Sequence, residues 1–330
     1  MAVVTNTFVS TSAVGNREEL SNVVSMITPE DTPIYSMIGH PSLDSKHPEW
    51  EYDSLAAPAD NAQLEGDEYT FGAITPPTRV GNYTQIFRKE LIVSATQDAV
   101  SNAGDHESSK KQKLKKGVEL RKDVEFCILS NTASVAGSTR RSGGLPSWLA
   151  SNVSRGATGA NGGFSSGTGL TVAATNGTQR AFTKSLLDTV LQSAYGNGAN
   201  VRYASLSPYA KSVFTTFMSD ANVIAFRQSV DAGEKNTIIA SADIYQGDFG
   251  KVTMMPNRVQ AGSAALARNV FLIDTEMLAF GWLRKIGEDK EVAKTGDANK
   301  KVLIGEGCLK VMNEKGLGVV ADVFGLTATT

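Results

Sequence analysis

The hydrophobic pattern near the start of the chain predicts a short amphipathic helix. It begins near Asn16, a residue type that favours a helix N-terminus, and it ends before Thr28-Pro29. Its apolar positions recur at helical spacing and are Leu20, Val23, Val24 and Ile27. A helix this short cannot bury such a stripe by itself, so we expect it to dock on another part of the assembly.

Two strand patterns then enclose a long segment without regular periodicity. Trp50–Leu55 and Val80–Val93 are predicted as strands, the second because its polar and apolar residues alternate. More than twenty residues separate them, including the acidic group Glu65, Asp67 and Glu68. A structureless loop of this length argues against a compact closed domain. We therefore expect a long hairpin that gains its order by lying on another subunit.

The longest helical pattern covers Asp105–Asn131, and its two halves differ. The first half carries lysines that point in several directions, namely Lys110, Lys111, Lys113, Lys115 and Lys116. The second half is apolar around its axis, with Val124, Phe126, Ile128 and Leu129. We expect the first half to be solvated and the second to be buried.

The rest of the chain mixes both periodicities and predicts an α+β fold. Residues 151–180 are rich in glycine, which is typical of a surface loop. Helices are predicted at Phe182–Tyr195 and Pro208–Met218, and strands at Val201–Leu206, Lys251–Met255, Asn269–Ile273, Lys301–Met312 and Gly318–Phe324. Met277–Leu283 fits either a strand or a helix.

The alternating strands near the C-terminus need an apolar cover on one face, and the apolar end of the long helix is the best available partner. We therefore expect Val124, Ile128 and Leu129 to pack against Val302, Ile304, Leu309, Val311 and Val319. Cys127 and Cys308 lie in the same apolar runs. A disulfide between them stays open, but two buried thiols in a reducing cytoplasm are favoured.

Composition excludes some classes of function. The 330 residues are 41% hydrophobic and 20% charged with a net charge of −2, as in an ordinary globular protein. A dedicated nucleic-acid-binding protein is usually far more basic, so sequence-specific DNA recognition is disfavoured. No apolar run is long enough for a transmembrane helix, and the N-terminal residues do not match a secretory signal.

Motifs that suggest chemistry each have a simpler interpretation. Residues 163–167 match the nucleophile elbow of serine hydrolases around Ser165, but that motif needs a helix after it and a downstream histidine. Asp248-Phe249-Gly250 matches a kinase tripeptide without the other kinase motifs, so a turn between two strands is predicted. The histidines are too scattered for a metal site with the cysteines. The acidic residues at 65–68 could bind a cation, although a solvated loop or a basic neighbour is favoured.

Several short motifs, taken in their order along the chain, resemble one protein family. Gly15–Leu20 is followed by Asp31-Thr32-Pro33, Trp50–Asp53 and Gly143-Gly144-Leu145, and the last third adds Ala242–Gly250, Met255–Arg258 and Ile304-Gly305-Glu306. In this order they resemble the major capsid proteins of tailed bacteriophages with the Hong Kong 97-type fold. The resemblance implies an N-arm at 1–50, an extended E-loop at 51–95, a peripheral domain with a spine helix at 96–198, an axial domain at 199–285, and peripheral return strands at 286–330.

The family resemblance implies assembly in place of catalysis. Such proteins self-assemble into pentamers and hexamers that form an icosahedral head around DNA, so we expect a virion protein assembled in the bacterial host cytoplasm. Expected partners are further copies of the chain, a separate scaffolding protein, a portal, decoration proteins and packaged DNA bound without sequence specificity. No cofactor, metal or membrane is expected.

Two sets of residues are expected to contact these partners. Inter-subunit contacts are expected at Glu65, Asp67, Glu68, Arg79 and Arg88, and genome-facing lysines at Lys110, Lys111, Lys113, Lys115 and Lys116. The alternative for these lysines is that they contact only solvent and no DNA. A non-viral, encapsulin-like shell that encloses cargo enzymes is a second candidate function, and a hydrolase using Ser165 is a remote third.

Overall fold

The structure is a computed structural model that describes residues 31–69, 71–100, 108–217, 243–293 and 296–329. Its helices are α1 (Pro33–Met37), α2 (Ala95–Ala99), α3 (Ser108–Leu129), α4 (Lys184–Gly196), α5 (Pro208–Thr216) and α6 (Ala264–Ala267). Its strands are β1 (Glu49–Tyr52), β2 (Thr78–Gly81), β3 (Gln85–Ser94), β4 (Val153–Ser154), β5 (Gly163–Ser165), β6 (Leu170–Val172), β7 (Tyr203–Leu206), β8 (Ile244–Gly247), β9 (Gly250–Pro256), β10 (Val270–Ile273), β11 (Leu278–Asp289), β12 (Ala298–Val311) and β13 (Gly318–Val320). The predicted helix at 16–27 and the first residues of the predicted long helix, 105–107, lie outside the described residues.

An antiparallel sheet in the order β11-β12-β3 carries the long helix α3 on one face. Strand alternation decides which side chains meet the helix. On β3, Phe87 and Leu91 are buried, whereas Ile86 and Ile92 are exposed. One apolar cluster joins Val124, Ile128 and Leu129 of the helix to Leu309, Val311 and Val319. The predicted packing between these distant parts of the chain is therefore confirmed for those residues.

The face predicted for Val302 and Ile304 is wrong. Both side chains are half-buried and lie outside the cluster, whereas Leu303 between them belongs to it. Because successive residues of a strand point to opposite faces, a set that joins 302 and 304 to 309 and 311 mixes both faces. Gly305 stands at a crowded helix-facing position, where a Cβ would lie 2.9 Å from the Trp282 ring.

A six-stranded mixed sheet in the order β4-β13-β10-β7-β9-β8 forms a second layer. Its pairs β4–β13 and β7–β9 are parallel, and the others are antiparallel. Helices α4 and α5 supply Leu187, Val190 and Phe214 to a core that also contains Leu206 and Met254. The hydroxyl of Ser207 caps α5 by accepting from the Ala210 amide at 3.1 Å.

Some predicted element boundaries are wrong for identifiable reasons. Val80–Val93 forms two strands because Asn82 turns inward, donating to the Leu309 carbonyl at 2.7 Å and accepting from the Gly143 amide at 2.9 Å. Gly318–Phe324 is only the short β13, and it pairs with β10 and β4 in the six-stranded sheet. The ambiguous Met277–Leu283 segment begins a strand, β11.

Of the four apolar residues predicted to be buried in the second half of α3, three are buried and Phe126 is not. Leu120, Val124, Ile128 and Leu129 are fully buried, but the Phe126 side chain is 51% exposed. Cys127 and Cys308 are free and buried, and burial raises the pKa of each thiol to about 12. The expectation of two buried thiols is thus confirmed.

Candidate assembly surfaces

A two-stranded hairpin projects from the core at β1 and β2. The strands pair antiparallel from Glu49–Gly81 to Tyr52–Thr78. Its base is fixed by Trp50, whose indole N–H donates to the Val311 carbonyl at 2.8 Å. The same ring stacks on Trp148 with centroids 5.6 Å apart. The hairpin is therefore anchored at its base, while the chain beyond it is free to extend.

Residues 53–77 form the loop of this hairpin, and we call them the hairpin loop. They contain no helix or strand among the described residues. Their large apolar side chains are almost fully exposed, at 99% for Leu55, 79% for Leu64, 88% for Tyr69, 95% for Phe71 and 94% for Ile74. Burying one such side chain stabilises a protein by about 1.5–3 kcal/mol. Exposed apolar groups in this number typically mark an interaction surface.

The hairpin loop is also strongly acidic. It contains Asp53, Asp60, Glu65, Asp67 and Glu68 and no lysine or arginine, so its net charge is −5. The three predicted contact residues of the loop, Glu65, Asp67 and Glu68, are exposed around a turn at Gly66, whose φ is +85°. Glycine adopts this left-handed conformation without steric cost. The loop thus combines apolar side chains with unneutralised negative charge.

The arginines predicted to contact other subunits, Arg79 and Arg88, are both exposed. Arg79 pairs with Glu49 across the hairpin, and the Arg88 Nε lies 2.7 Å from the Glu90 carboxylate. Exposed ion pairs of this kind contribute about 0–1 kcal/mol. An acidic group from another subunit can therefore compete for either arginine. Among the described residues, neither arginine forms an ion pair with an acid of the hairpin loop, and their inter-subunit role stays a prediction.

The structure divides the lysines of α3 into two groups. Lys110, Lys111 and Lys115 are exposed, whereas Lys113 and Lys116 are half-buried. Lys113 pairs with Glu288, and hydrogen bonding from this lysine lowers the pKa of that carboxyl. Lys116 Nζ lies 2.7 Å from a Glu119 oxygen and lowers the pKa of Glu119 in the same way. The exposed three are the members of the set best placed to meet an external anion.

A buried carboxylate, Glu125 of α3, anchors the short helix α1 to the long helix. It accepts hydrogen bonds from the amides of Ile34 at 3.1 Å and Tyr35 at 2.8 Å, and from Asn257 Nδ2 at 2.7 Å. Those amides belong to the first turn of α1, which has no intrahelical acceptor for them. Burial raises the pKa of Glu125. Sequence reasoning missed this residue, although a lone acid among buried helical positions is the signal that could have found it.

A second buried carboxylate, Glu306 of β12, joins several segments. It accepts from Thr84 Oγ1 at 2.9 Å, from Arg140 Nη2 at 2.6 Å and from Arg284 Nη2 at 2.9 Å. Burial opposes its ionisation, but the hydrogen bonds from these three residues lower the pKa overall. Its partners come from three separate parts of the chain, so no local pattern could have revealed it.

The alternative catalytic interpretations do not fit the described fold. Ser165 ends β5, which pairs with β6 in a hairpin, so the helix that a nucleophile elbow requires does not follow it. Asp248 and Phe249 form the turn between β8 and β9, and Gly250 has a φ of +126°. The predicted turn is therefore confirmed.

The described ranges contain no group of three or more His, Cys, Asp or Glu side chains arranged to hold a metal ion. Among the same residues, no helix has the length and apolarity needed to cross a membrane.

A sequence model of the SU10 major capsid protein matches residues 3–324, nearly the whole chain. The chain belongs to this family. Membership of a major capsid protein family implies that the subunit self-associates and that its place is in the virion.

The capsid family also includes a curated relative that matches in part. The major capsid protein of Escherichia phage Phieco32 is 35% identical over 127 residues, which are 38% of this chain. The matched stretch spans 36% of the relative, about a third of its length.

Solved capsid structures confirm the Hong Kong 97-type fold. The cyanophage A-1(L) capsid subunit superimposes with a TM-score of 0.62 at 14% identity, over 94% of this chain and 97% of that one. The SrpI encapsulin of Synechococcus elongatus PCC 7942 superimposes with a TM-score of 0.54 at 11% identity, over 94% and 93%. Because phage capsids and an encapsulin share this fold, the fold alone does not separate the two functions.

Proposed function

We propose that this capsid-family protein assembles into pentamers and hexamers, which form the icosahedral head of a phage around its DNA genome. The hairpin loop carries this proposal. Its five large apolar side chains are at least 79% exposed in the single subunit. Permanent interfaces commonly bury more than about 2,000 Å², and a projecting loop of this kind supplies such an area when it lies on a neighbour.

The loop chemistry supports a defined kind of contact between subunits. Glu65, Asp67 and Glu68 carry negative charge into the interface, and Arg79 and Arg88 of adjacent subunits are exposed enough to receive it. Complementary charges of this kind fix the register of an interface and exclude wrong partners.

We retain the predicted division into N-arm, E-loop, peripheral and axial parts, with one adjustment. Strand β11 pairs with β12 beside α3 along its whole length. This pairing supports a boundary before Leu278 in place of residue 285, so that all of β11 belongs to the peripheral part.

The proposal extends to partners and place of action. A separate scaffolding protein, a portal and decoration proteins act with the subunit, and assembly occurs in the bacterial host cytoplasm. The exposed lysines of α3 contact packaged DNA without reading its sequence. The chain has no catalytic role in this scheme.

Electron microscopy of the protein purified from its natural host cells, where the proposed scaffolding protein is present, tests the proposal. Closed icosahedral shells built from pentamers and hexamers are expected. A stable monomer at micromolar concentration, with residues 53–77 ordered and protected from protease, would contradict it.

An encapsulin-like shell is the second candidate, favoured by the superposition on the SrpI encapsulin. Material that co-purifies with the native particle separates the two functions. Nuclease-protected DNA of genome length supports the phage head, whereas an enclosed enzyme supports the encapsulin-like shell.

A further inference from the structure

Phe126 is an exposed aromatic side chain on the second half of α3, where the other apolar residues from Leu120 to Leu129 are buried. It is 51% exposed, whereas its neighbours Glu125 and Cys127 are buried. Two cavities meet at its ring. One has a volume of about 320 Å³ and is lined also by Val259 and Leu266. The other, of about 360 Å³, is lined also by Phe87. We call this surface the Phe126 patch.

Asp31, the first residue that the structure describes, lies at the Phe126 patch. Glu125, the residue before Phe126, binds the amides of Ile34 and Tyr35. Asp31 lines the smaller cavity, and its carboxylate lies 3.4 Å from Arg258 Nε on the rim of that cavity. The residues that precede Asp31 therefore start from a fixed point beside the exposed ring.

Apolar residues lie within reach of that point. Ile27 precedes Asp31 by four residues, which span at most about 14 Å when fully extended. Val24 and Leu20 continue the same predicted stripe at helical spacing. The smaller cavity has apolar walls at Val259 and Leu266, and its two cations, Lys122 and Arg258, are balanced by the carboxylates of Asp31 and Asp123. The apolar stripe therefore fits this surface through its apolar walls.

We propose that Val24 and Ile27 cover the Phe126 patch of their own subunit. A tether of only a few residues gives the segment a high effective concentration at the patch, which favours the same chain over a second copy. The contact would set the direction in which residues before 20 leave the subunit. It does not depend on whether the shell encloses a genome or an enzyme.

Thiol protection tests the contact directly. Phe126→Cys places a reactive group at the patch, and Leu114→Cys places one at a position of the same helix that is 74% exposed. Cys127 and Cys308 are buried with their pKa raised to about 12, so they contribute little background. Under reducing conditions, we expect a maleimide to react with the Phe126→Cys protein at least tenfold more slowly than with the Leu114→Cys protein.

Changes in the N-terminal segment then identify what covers the thiol. Val24→Asp with Ile27→Asp, added to Phe126→Cys, should remove most of the protection. Asn22→Asp adds a charge on the opposite side of the predicted stripe and should leave the protection intact. The milder pair Val24→Ser with Ile27→Ser serves if the aspartates prevent folding, and it should give a smaller increase in rate.

Three results would overturn the proposal. Equal reaction rates for Phe126→Cys and Leu114→Cys would show that the patch is uncovered. Protection that survives the Val24 and Ile27 changes would show that something else covers it. Restored protection when the triple variant is co-assembled with wild-type chains would show that a second copy provides the segment. Microscopy of each sample reports shell formation separately. A failure of the proposed function, seen as missing shells, is therefore distinguishable from a failure of this contact, seen as an unprotected thiol.

Discussion

At the scale of single residues, two buried glutamates of the subunit carry opposite pKa shifts. Burial raises the pKa of Glu125, although backbone amides and Asn257 donate to it. Glu306 is also buried, yet hydrogen bonds from Thr84, Arg140 and Arg284 lower its pKa. The presence of two guanidinium groups at Glu306 accounts for the difference, since neutral donors compensate less for lost hydration than cations do.

Glu306 should make the subunit sensitive to acid. Because its pKa is lower in the folded state, its stabilisation is present above the unfolded value of about 4.3 and is lost as the pH falls through the folded value. Glu306→Gln should lower the free energy of unfolding by about 3 kcal/mol at neutral pH, since it leaves two arginines without their carboxylate. Urea unfolding of dissociated subunits at pH 7 and below pH 4 measures this loss of stability, which should be smaller in acid. The exposed Glu90→Gln is the control, and a Glu306→Gln variant as stable as wild type would contradict the assignment.

Glu125 should show the reverse dependence. Its raised pKa means that its contribution is present below about pH 4.3 and is lost as the pH rises through the folded value. Glu125→Gln should therefore lower the free energy of unfolding more at pH 4 than at pH 8, because glutamine keeps an acceptor for α1 without a buried charge. Glu125→Ala should cost about 1–3 kcal/mol at either pH, since two amides lose their acceptor. A constant cost of Glu125→Gln over this range would refute the raised pKa.

At the scale of elements, local periodicity predicted the three longest described helices, α3, α4 and α5, but it missed the short helices α1, α2 and α6 and was less accurate about the strand environments. The long helix and its buried residues Val124 and Ile128 follow from spacing within one segment. The position of Val302 on the outer face, and of β13 in the other sheet, depends on partners far away in sequence. The same limit applies to the candidate surfaces. The exposed hairpin loop was predictable from its length and composition, whereas Lys113 pairs with Glu288 across 175 positions of sequence.

Ile128 tests the packing between α3 and the three-stranded sheet. Its side chain is fully buried in the cluster that contains Leu309 and Val311. Ile128→Ala should destabilise the subunit by about 2–5 kcal/mol, through lost apolar burial and a residual cavity. Leu114→Ala on the exposed half of the same helix should cost less than about 0.5 kcal/mol. Similar midpoints of urea unfolding for the two variants would show that the buried end of α3 does not hold the sheet.

Removing the hairpin loop should separate folding from assembly. Deletion of residues 58–76 leaves the β1–β2 ladder and the Trp50 anchor in place, and it removes four of the five large exposed apolar side chains. Circular dichroism should show a folded subunit, while the yield of particles falls sharply. Loss of the folded spectrum would instead assign the loop to the subunit core.

At the scale of the whole molecule, the charges are close to balanced overall but unevenly distributed. The net charge is −2, yet the hairpin loop alone carries −5 and the start of α3 carries a cluster of lysines. From this separation we expect the two regions to meet different partners, another subunit for the acidic loop and a polyanion for the basic helix.

Replacing the exposed lysines Lys110, Lys111 and Lys115 with glutamine should reduce retention of packaged DNA, most clearly at low salt, where the attraction between lysine and phosphate is least screened. Fewer cations then face the phosphates, and the salt dependence of retention weakens. Subunit stability should change by less than about 0.5 kcal/mol per site. Lys113→Gln is the matched control, because this side chain of the same helix is half-buried whereas the other three are exposed. A structure of the shell with these lysines on its outer surface would contradict their role.

Strand β13 lies inside the six-stranded sheet, between β4 and β10. A ribosome makes it after the other described strands of that sheet, because translation runs from the N-terminus. Until Gly318–Val320 emerge, β4 has no partner in the sheet and one edge of β10 is open. Val319 is then also missing from the core beside α3. A polypeptide terminated before β13 therefore cannot complete the six-stranded sheet, and we expect the ribosome's product to fold into a full subunit only after Gly318–Val320 have been made.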